Sequence, residues 1–600
     1  MYKKRILFSG EASFLNTGFS NIYRSLLPRL AKTGKFEVAE HGSYAPINHP
    51  DVENFIAGRW KFYPGMPSTE AEAAEFRKFE VSNHPQDRGA NIAQFGAWNF
   101  DQVLLDFKPD IVFALRDHWM DSYILRSCLR PWFKFIWMPT VDSPAQREEW
   151  ISDYEKVNLC LAYSDFGVHT LKMQSKRAKV FPKPMRPGVD LDIFCLMDKS
   201  AIRESFNLNK ENFVFGILQR NQSRKNILEV IDAFALLKNT YKEDTKVQKS
   251  LLLLHTSWPD NLHSFDYPRH IKRLQSDAWM PNHRPGIMYD ILQTMICHNC
   301  QQASLTFAFN LFNKPIEQKT IHNKKMQGIF LQCPYCQQPT LTTPNTGYGV
   351  SREQLAQIYN LMDVLVQASI AEGDGMPTTE AKACGLPVIV TDHSALAEKG
   401  RFPGEYLHIK EAGITENDYS VHKGGIVHKV AAYRHEPETG CIRAVPDIND
   451  LMQKMHLLIT DTSLHKQMSI DARKCVEDNY DWDKLALTWA GIFDKIHTID
   501  RNSTWDSPIE PVNVTQSQSI PPNLSDDRFI EWLYLSILKY PAVDMSGFQL
   551  WMSHLKAGVS REIILNQFIQ ISNQQSESSN ARNILRFNAS QQPSKKTEFI

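Results

Sequence analysis

No run of apolar residues in this 600-residue sequence approaches the ~20 that a membrane-spanning helix requires. Net charge is missing too. The 67 Lys and Arg balance 67 Asp and Glu, so no whole-chain field draws the protein to nucleic acid or anionic lipid. The opening residues, MYKKRILFSGEASF, carry basic groups but too short an apolar stretch for a secretion signal. A disulfide framework is absent: the ten cysteines are scattered except for two C-x-x-C pairs. That usage fits a reducing compartment, and the expected location is cytoplasmic. The first strand lacks a following G-x-G-x-x-G, which argues against dinucleotide binding.

What is present is organised around residues 364–392, VLVQASIAEGDGMPTTEAKACGLPVIVTD. An apolar run leads into a loop of small residues, then a helix pattern with Pro377 at its start and Gly385 at its stop, then a second apolar run. Such a strand–loop–helix–strand unit brings the backbone N–H groups of Gly373, Asp374 and Gly375 near a helix N-terminus, where anions are favoured. Glu372 and Glu380, with seven residues between them, flank this loop. A nucleoside-diphosphate sugar needs N–H donors for its diphosphate and acceptors for its sugar and ribose hydroxyls. Glu372 suits the sugar and Glu380 the ribose diol.

Residues 359–392 resemble the donor-site signature of the group one retaining GT-B glycosyltransferases: a Glu, seven residues, a Glu, then an A-x-A-C-G-x-P-V-I strand. The resemblance implies two Rossmann-like domains facing across a cleft, a nucleotide-sugar substrate, and no catalytic metal. The chain departs from the family at Asp374, where an aromatic or small residue is usual. A carboxylate beside a diphosphate is unfavourable unless something pairs it.

Other segments fit the same expectation. An apolar strand at residues 5–10 is followed by a loop containing Gly18, which the resemblance places over the reaction centre. Strands at 108–115 and 135–138 end in polar residues at the carboxyl end of a parallel sheet, where α/β folds bind ligands. The resemblance matches His118 and Asp142 to groups near the donor sugar and acceptor. After a strand at 212–218, Arg220 and Lys225 stand in a strand–helix loop with four residues between them. A guanidinium fork and an ammonium point charge suit a diphosphate, and the family carries an Arg and a Lys at this step.

The expected organisation is an N-terminal acceptor-side domain (1–190), a donor-binding domain (191–497), a linker (498–522), a helical module (523–575) and a disordered tail (576–600). An insertion at 260–349 interrupts the donor domain. Within it, Cys297 and Cys300 are separated from Cys333 and Cys336 by thirty-two residues. Four thiolates in two knuckles suit a structural Zn2+ in a zinc ribbon at 295–340. The ribbon and the helical module, which resembles one appended to bacterial glycosyltransferases, are sites for a protein partner. Nucleic acid is not expected, because the insertion lacks a dense basic face.

The predicted protein is thus an α/β glycosyltransferase of hexosyltransferase type, acting on an acceptor that is a glycan, a lipid or a protein. Arg220, Lys225, Glu372 and His118 are the candidate catalytic residues. Gly18, Asp142, Gly373, Asp374, Gly375, Met376 and Glu380 are the candidate donor contacts. The alternatives are a GT-B sugar-nucleotide epimerase or phosphorylase, and a non-catalytic scaffold that binds through the ribbon.

Overall fold

Short apolar strands alternating with amphipathic helices build two parallel sheets, because each sheet must bury both faces under its crossover helices. The structure is a computed structural model that describes residues 3–82, 92–258, 265–275, 290–307, 316–321, 324–329, 331–344, 349–400, 423–436, 439–506, 524–538 and 545–577.

The first sheet contains β1 (Lys4–Glu11), β2 (Phe36–Ser43), β3 (Lys61–Pro64), β4 (Ile111–Ala114), β5 (Lys134–Trp137) and β6 (Leu159–Cys160), in the order β3-β2-β1-β4-β5-β6. All its pairings are parallel. Helix α1 (Gly18–Lys32) covers it, capped by the Thr17 hydroxyl on the Ser20 N–H. Helix α2 (Asp165–Gln174), capped by Ser164, follows β6.

The second sheet contains β7 (Val214–Leu218), β8 (Leu251–His255), β9 (Ile291–Cys297), β10 (Ala303–Phe307), β13 (Leu341–Thr342), β14 (Val364–Gln367), β15 (Val388–Thr391) and β16 (Gly425–His428). Its main path runs β10-β9-β8-β7-β14-β15-β16, with β13 paired to β9. From β9 to β16 the pairings are parallel, whereas β10 and β13 run antiparallel to β9. Two further antiparallel pairs stand apart: β11 (Ile316–Ile321) with β12 (Lys324–Ile329), and β17 (Val430–His435) with β18 (Ile442–Pro446). Helices α3 (Ile227–Thr240), α4 (Arg352–Leu361), α5 (Met376–Ala383) and α6 (Ser394–Gly400) belong to this half. Helix α4 opens on a full capping box formed by Ser351 and Gln354.

Strand β9 refines the sequence reading. It lies inside the stretch assigned to an insertion, yet it continues the parallel sheet beside β8. The cysteine knuckles are therefore continuous with the second sheet.

Helix α7 (Trp482–Lys495) crosses back to the first domain. Trp489 and Phe493 pack edge-on against Phe113, with ring centroids 5.3 and 5.7 Å apart. The chain stays on this domain beyond α7: Trp505 is 6% exposed and donates from Nε1 to the Pro109 carbonyl at 2.9 Å. The segment expected to begin a linker at 498 is thus docked up to residue 506, and the rest of that linker lies outside the described residues. Helices α8 (Asp526–Ser536), α9 (Met545–Lys556) and α10 (Arg561–Glu577) share a separate apolar core around Phe529, Leu533, Trp551 and Phe568. The expected tail lies outside the described residues from 578 onward.

Candidate active site

The loop after β14 is held close to the opposite domain. A Cβ added to Gly373 would stand 2.7 Å from the Thr140 Cγ2. Gly375, at φ +82°, turns the chain into α5, where a side chain would be strained and would also meet Leu396. Pro377 sits in the first turn, Gly385 closes the helix at φ +73°, and Met376 packs toward the N-terminal core.

A second loop, between β7 and α3, is stapled to the first. The Ile370 N–H donates to the Arg224 carbonyl at 2.9 Å, and the Asn226 side-chain amide donates to the Ala368 carbonyl at 2.9 Å. This stapling brings the Lys225 ammonium onto the Glu372 carboxylate, with the Arg224 guanidinium 3.4 Å from its other oxygen. Both side chains of the Lys225–Glu372 pair are 11% exposed. Burial pushes the Glu372 carboxyl up, but the Lys225 and Arg224 cations outweigh it and bring it down to about 2. Burial and the Arg224 charge lower Lys225 to about 8, which leaves it largely protonated at neutral pH. Arg220, half-buried, opens the same loop. Arg224 had no assigned role from sequence. Its place beside Glu372 follows from the tight turn at Ser223–Lys225, which no motif announces.

Glu380, on α5, accepts a hydrogen bond from the Tyr359 hydroxyl at 2.8 Å, and burial pushes its carboxyl up to about 7. Arg352 and Asp190 act on it electrostatically, and both line a hollow of about 750 Å³. The hollow also takes Arg24 and Arg29 from α1 and Ser351 to Gln354 from the start of α4. Gly18 opens α1, with nothing within 4 Å of the position a Cβ would occupy.

Asp374 is turned into the protein, where it is 7% exposed and meets Lys399 at 3.0 Å. The partner that the sequence could not supply is therefore twenty-five residues downstream.

In the N-terminal domain, His118 is stacked between Trp137 and Trp150, with centroids 5.3 and 5.2 Å away, and its Nε2 lies 3.0 Å from the Asp153 carboxylate. Asp142 pairs at 2.7 Å with Arg443 of β18, a contact between the two domains. Asp117 was not singled out from sequence, yet it is coupled to the site. Burial pushes its carboxyl up, Thr140 opposes this, and the charges of Asp142 and Arg224 act on it in opposite senses.

The four cysteines converge, each Sγ within 4.8 Å of the others. The two knuckles repeat one geometry. The Cys300 N–H points to the Cys297 Sγ and the Tyr335 N–H to the Cys333 Sγ, each at 3.4 Å. The residue after each pair, Gln301 or Gln337, adopts a left-handed φ of 58° or 60°. Four sulfur donors fit a closed tetrahedral metal site.

Residues 346–399 match the family described as "Glycosyl transferases group 1". No curated protein matches the chain by sequence. Among solved structures, the sucrose-phosphate synthase of Thermosynechococcus elongatus is similar at 15% identity, covering 82% of this chain and 98% of that one with a TM-score of 0.52. Anabaena HepE in complex with UDP-glucose is similar at 12% identity, with 82% and 100% covered and a TM-score of 0.48. A UDP-forming trehalose-phosphate synthase from Burkholderia xenovorans gives 11%, 83% and 100%, and 0.49. The protein has the GT-B fold. It carries the group 1 glycosyltransferase signature over residues 346–399.

Proposed function

We propose that the protein transfers a hexosyl unit from a nucleoside-diphosphate sugar to an acceptor, with the anomeric configuration retained. The observation that carries this reading is the meeting of Lys225, Arg224 and Glu372 immediately before the 373–375 turn. Cations and loop amides at one point stabilise charge that grows on a departing diphosphate. Glu372, held ionised, accepts a sugar hydroxyl. Glu380 beside its hollow accepts the ribose diol, and Arg220 adds charge at the mouth of the same loop. The leaving phosphate takes the acceptor's proton, so no protein base is assigned. The four cysteines hold Zn2+, which supplies no chemistry to the transfer and serves to fix the fold.

The test is a panel of nucleotide sugars screened by thermal shift, since a ligand that binds only the folded state raises the midpoint. A shift with one donor, followed by transfer to a glycan, lipid or protein acceptor, supports the reading. Conversion without acceptor would replace it with an epimerase, phosphate dependence would replace it with a phosphorylase, and absence of any shift would leave a scaffold.

One pH dependence follows. The Glu380 carboxyl, raised to about 7, is protonated below that pH and then accepts diol hydroxyls poorly. Donor affinity is therefore expected to weaken as pH falls through 7, and Glu380→Gln is expected to flatten the profile. Calorimetric titration of the donor between pH 6 and 8 checks both, and an unchanged slope in the Gln variant would remove Glu380 from the ribose.

A further inference from the structure

Three donor-loop positions rest on one short helix. At the start of α6, the Glu372 N–H donates to the Ser394 hydroxyl at 3.0 Å, and the Ala395 N–H donates to the Glu372 carbonyl at 3.3 Å. In the same turn, Leu396 fills the space against Gly375. In the last turn, the Lys399 ammonium donates to Asp374 Oδ1 at 3.0 Å, to the Thr379 hydroxyl at 3.2 Å and to the Tyr480 hydroxyl at 3.2 Å, and lies 4.6 Å from the Tyr480 ring centroid. All three ammonium donors are thereby used. The Lys399 and Asp374 side chains are 4% and 7% exposed. The neighbouring Glu398 accepts from the backbone N–H groups of Asp165 and Phe166 at the start of α2, in the other domain.

A buried ion pair adds little stability over an apolar pair of the same shape, and its best-attested use is to fix register. Here the register is that of the 373–375 turn, whose amides must face outward while the Asp374 carboxylate is drawn inward. We propose that Lys399 is a positioning residue for the donor loop: by holding Asp374 inside the domain it keeps the carboxylate off the diphosphate and the amides toward it. This rests on the glycosyl-transfer reading.

The experiment compares the parent with Lys399→Met, Asp374→Asn and the double variant, by calorimetry with UDP, GDP and ADP and by thermal unfolding. Each single substitution removes one partner of the buried pair and lowers the midpoint. In the double variant no charge is stranded, so the midpoint returns toward the parent. Nucleotide affinity stays about tenfold weaker, because the charge-assisted bonds that set the loop are still gone. Recovery of parent affinity in the double variant, or parent affinity in Lys399→Met, overturns the positioning role alone. A parent that binds none of the three nucleotides overturns the transfer reading, and the positioning role falls with it. If a single variant does not fold, the double variant decides the question.

Discussion

Replacing Lys225 with alanine is expected to lower kcat by a factor on the order of 10³, the scale seen when one preorganised donor to a developing charge is removed. The ammonium is the most enclosed cation in the stapled pair of loops, and the sheet scaffold fixes it rather than its own flexible stem. Strand β7 sets the start of its loop, Asn226 ties the end of the loop to the Ala368 carbonyl, and Glu372 fixes the head. Such a group loses no reorganisation energy when the diphosphate departs. The substitution also strips Glu372 of its main partner and leaves Arg224 at 3.4 Å. Some stability is lost, but the fold remains, because none of the parallel pairings depends on this side chain. Product formation measured beside far-ultraviolet circular dichroism separates the two effects. Turnover at the parent rate in folded Lys225→Ala would show that the diphosphate is held elsewhere. Arg224→Ala is expected to have a smaller effect, since its side chain is 47% exposed and its charge better screened.

The sequence made the strand–loop–helix unit at 364–392 legible because every local signal there agrees: an apolar run, a glycine turn, Pro377 at the helix start and Gly385 at its stop. The two-knuckle spacing was legible for the same reason, since metal-binding geometry is short-range. Lys225 and Glu372 were singled out separately from the resemblance, and the structure brings the two side chains into contact. What stayed hidden was long-range. Asp374 looked like an unpaired charge, because its partner Lys399 is separated from it by a helix, a strand and a turn. Asp142 looked like a free strand-end carboxylate, but β18 brings Arg443 onto it from 301 residues away. His118 was singled out by the resemblance, whereas its neighbour Asp117 is the group coupled to Arg224, and which of two adjacent residues turns that way is decided by the aromatic sandwich around the imidazole. Strand β9 was assigned to an insertion because the chain departs from the family pattern there, and only its pairing with β8 reveals that it belongs to the sheet. Periodicity reports which face of an element is apolar, but not which distant element will cover it.

Removing metal from the cysteine cluster is expected to destabilise the whole donor domain. Strand β9 pairs with β8 along the parallel sheet and ends in Cys297, while β13 returns beside it through Leu341. The bound ion would therefore clamp the end of a core strand. Structural zinc binding is worth about 10–16 kcal/mol in isolated fingers. If only ~3 kcal/mol of that is expressed here, the midpoint falls by on the order of 10 °C for a domain of this size. Chelation, or Cys300→Ser, is expected to produce that loss, and metal analysis of the purified chain is expected to find one zinc per molecule. The effect on activity should be selective. Gln301, next to Cys300, accepts a hydrogen bond through its carbonyl from the Gln354 side chain at 3.1 Å, and both residues line the hollow that also holds Arg352 and Asp190, the two charges that act on Glu380. Loosening the knuckle thus disturbs the wall of the proposed nucleoside site, whereas Lys225 and Glu372 sit on loops from β7 and β14 and keep their mutual contact. At temperatures where the variant is folded, donor KM should rise more than kcat falls. A purified protein without zinc that unfolds at the same temperature before and after chelation would rule out the clamp. A variant that lost kcat but kept KM would place the cluster's influence on the reacting groups instead of on the nucleoside wall.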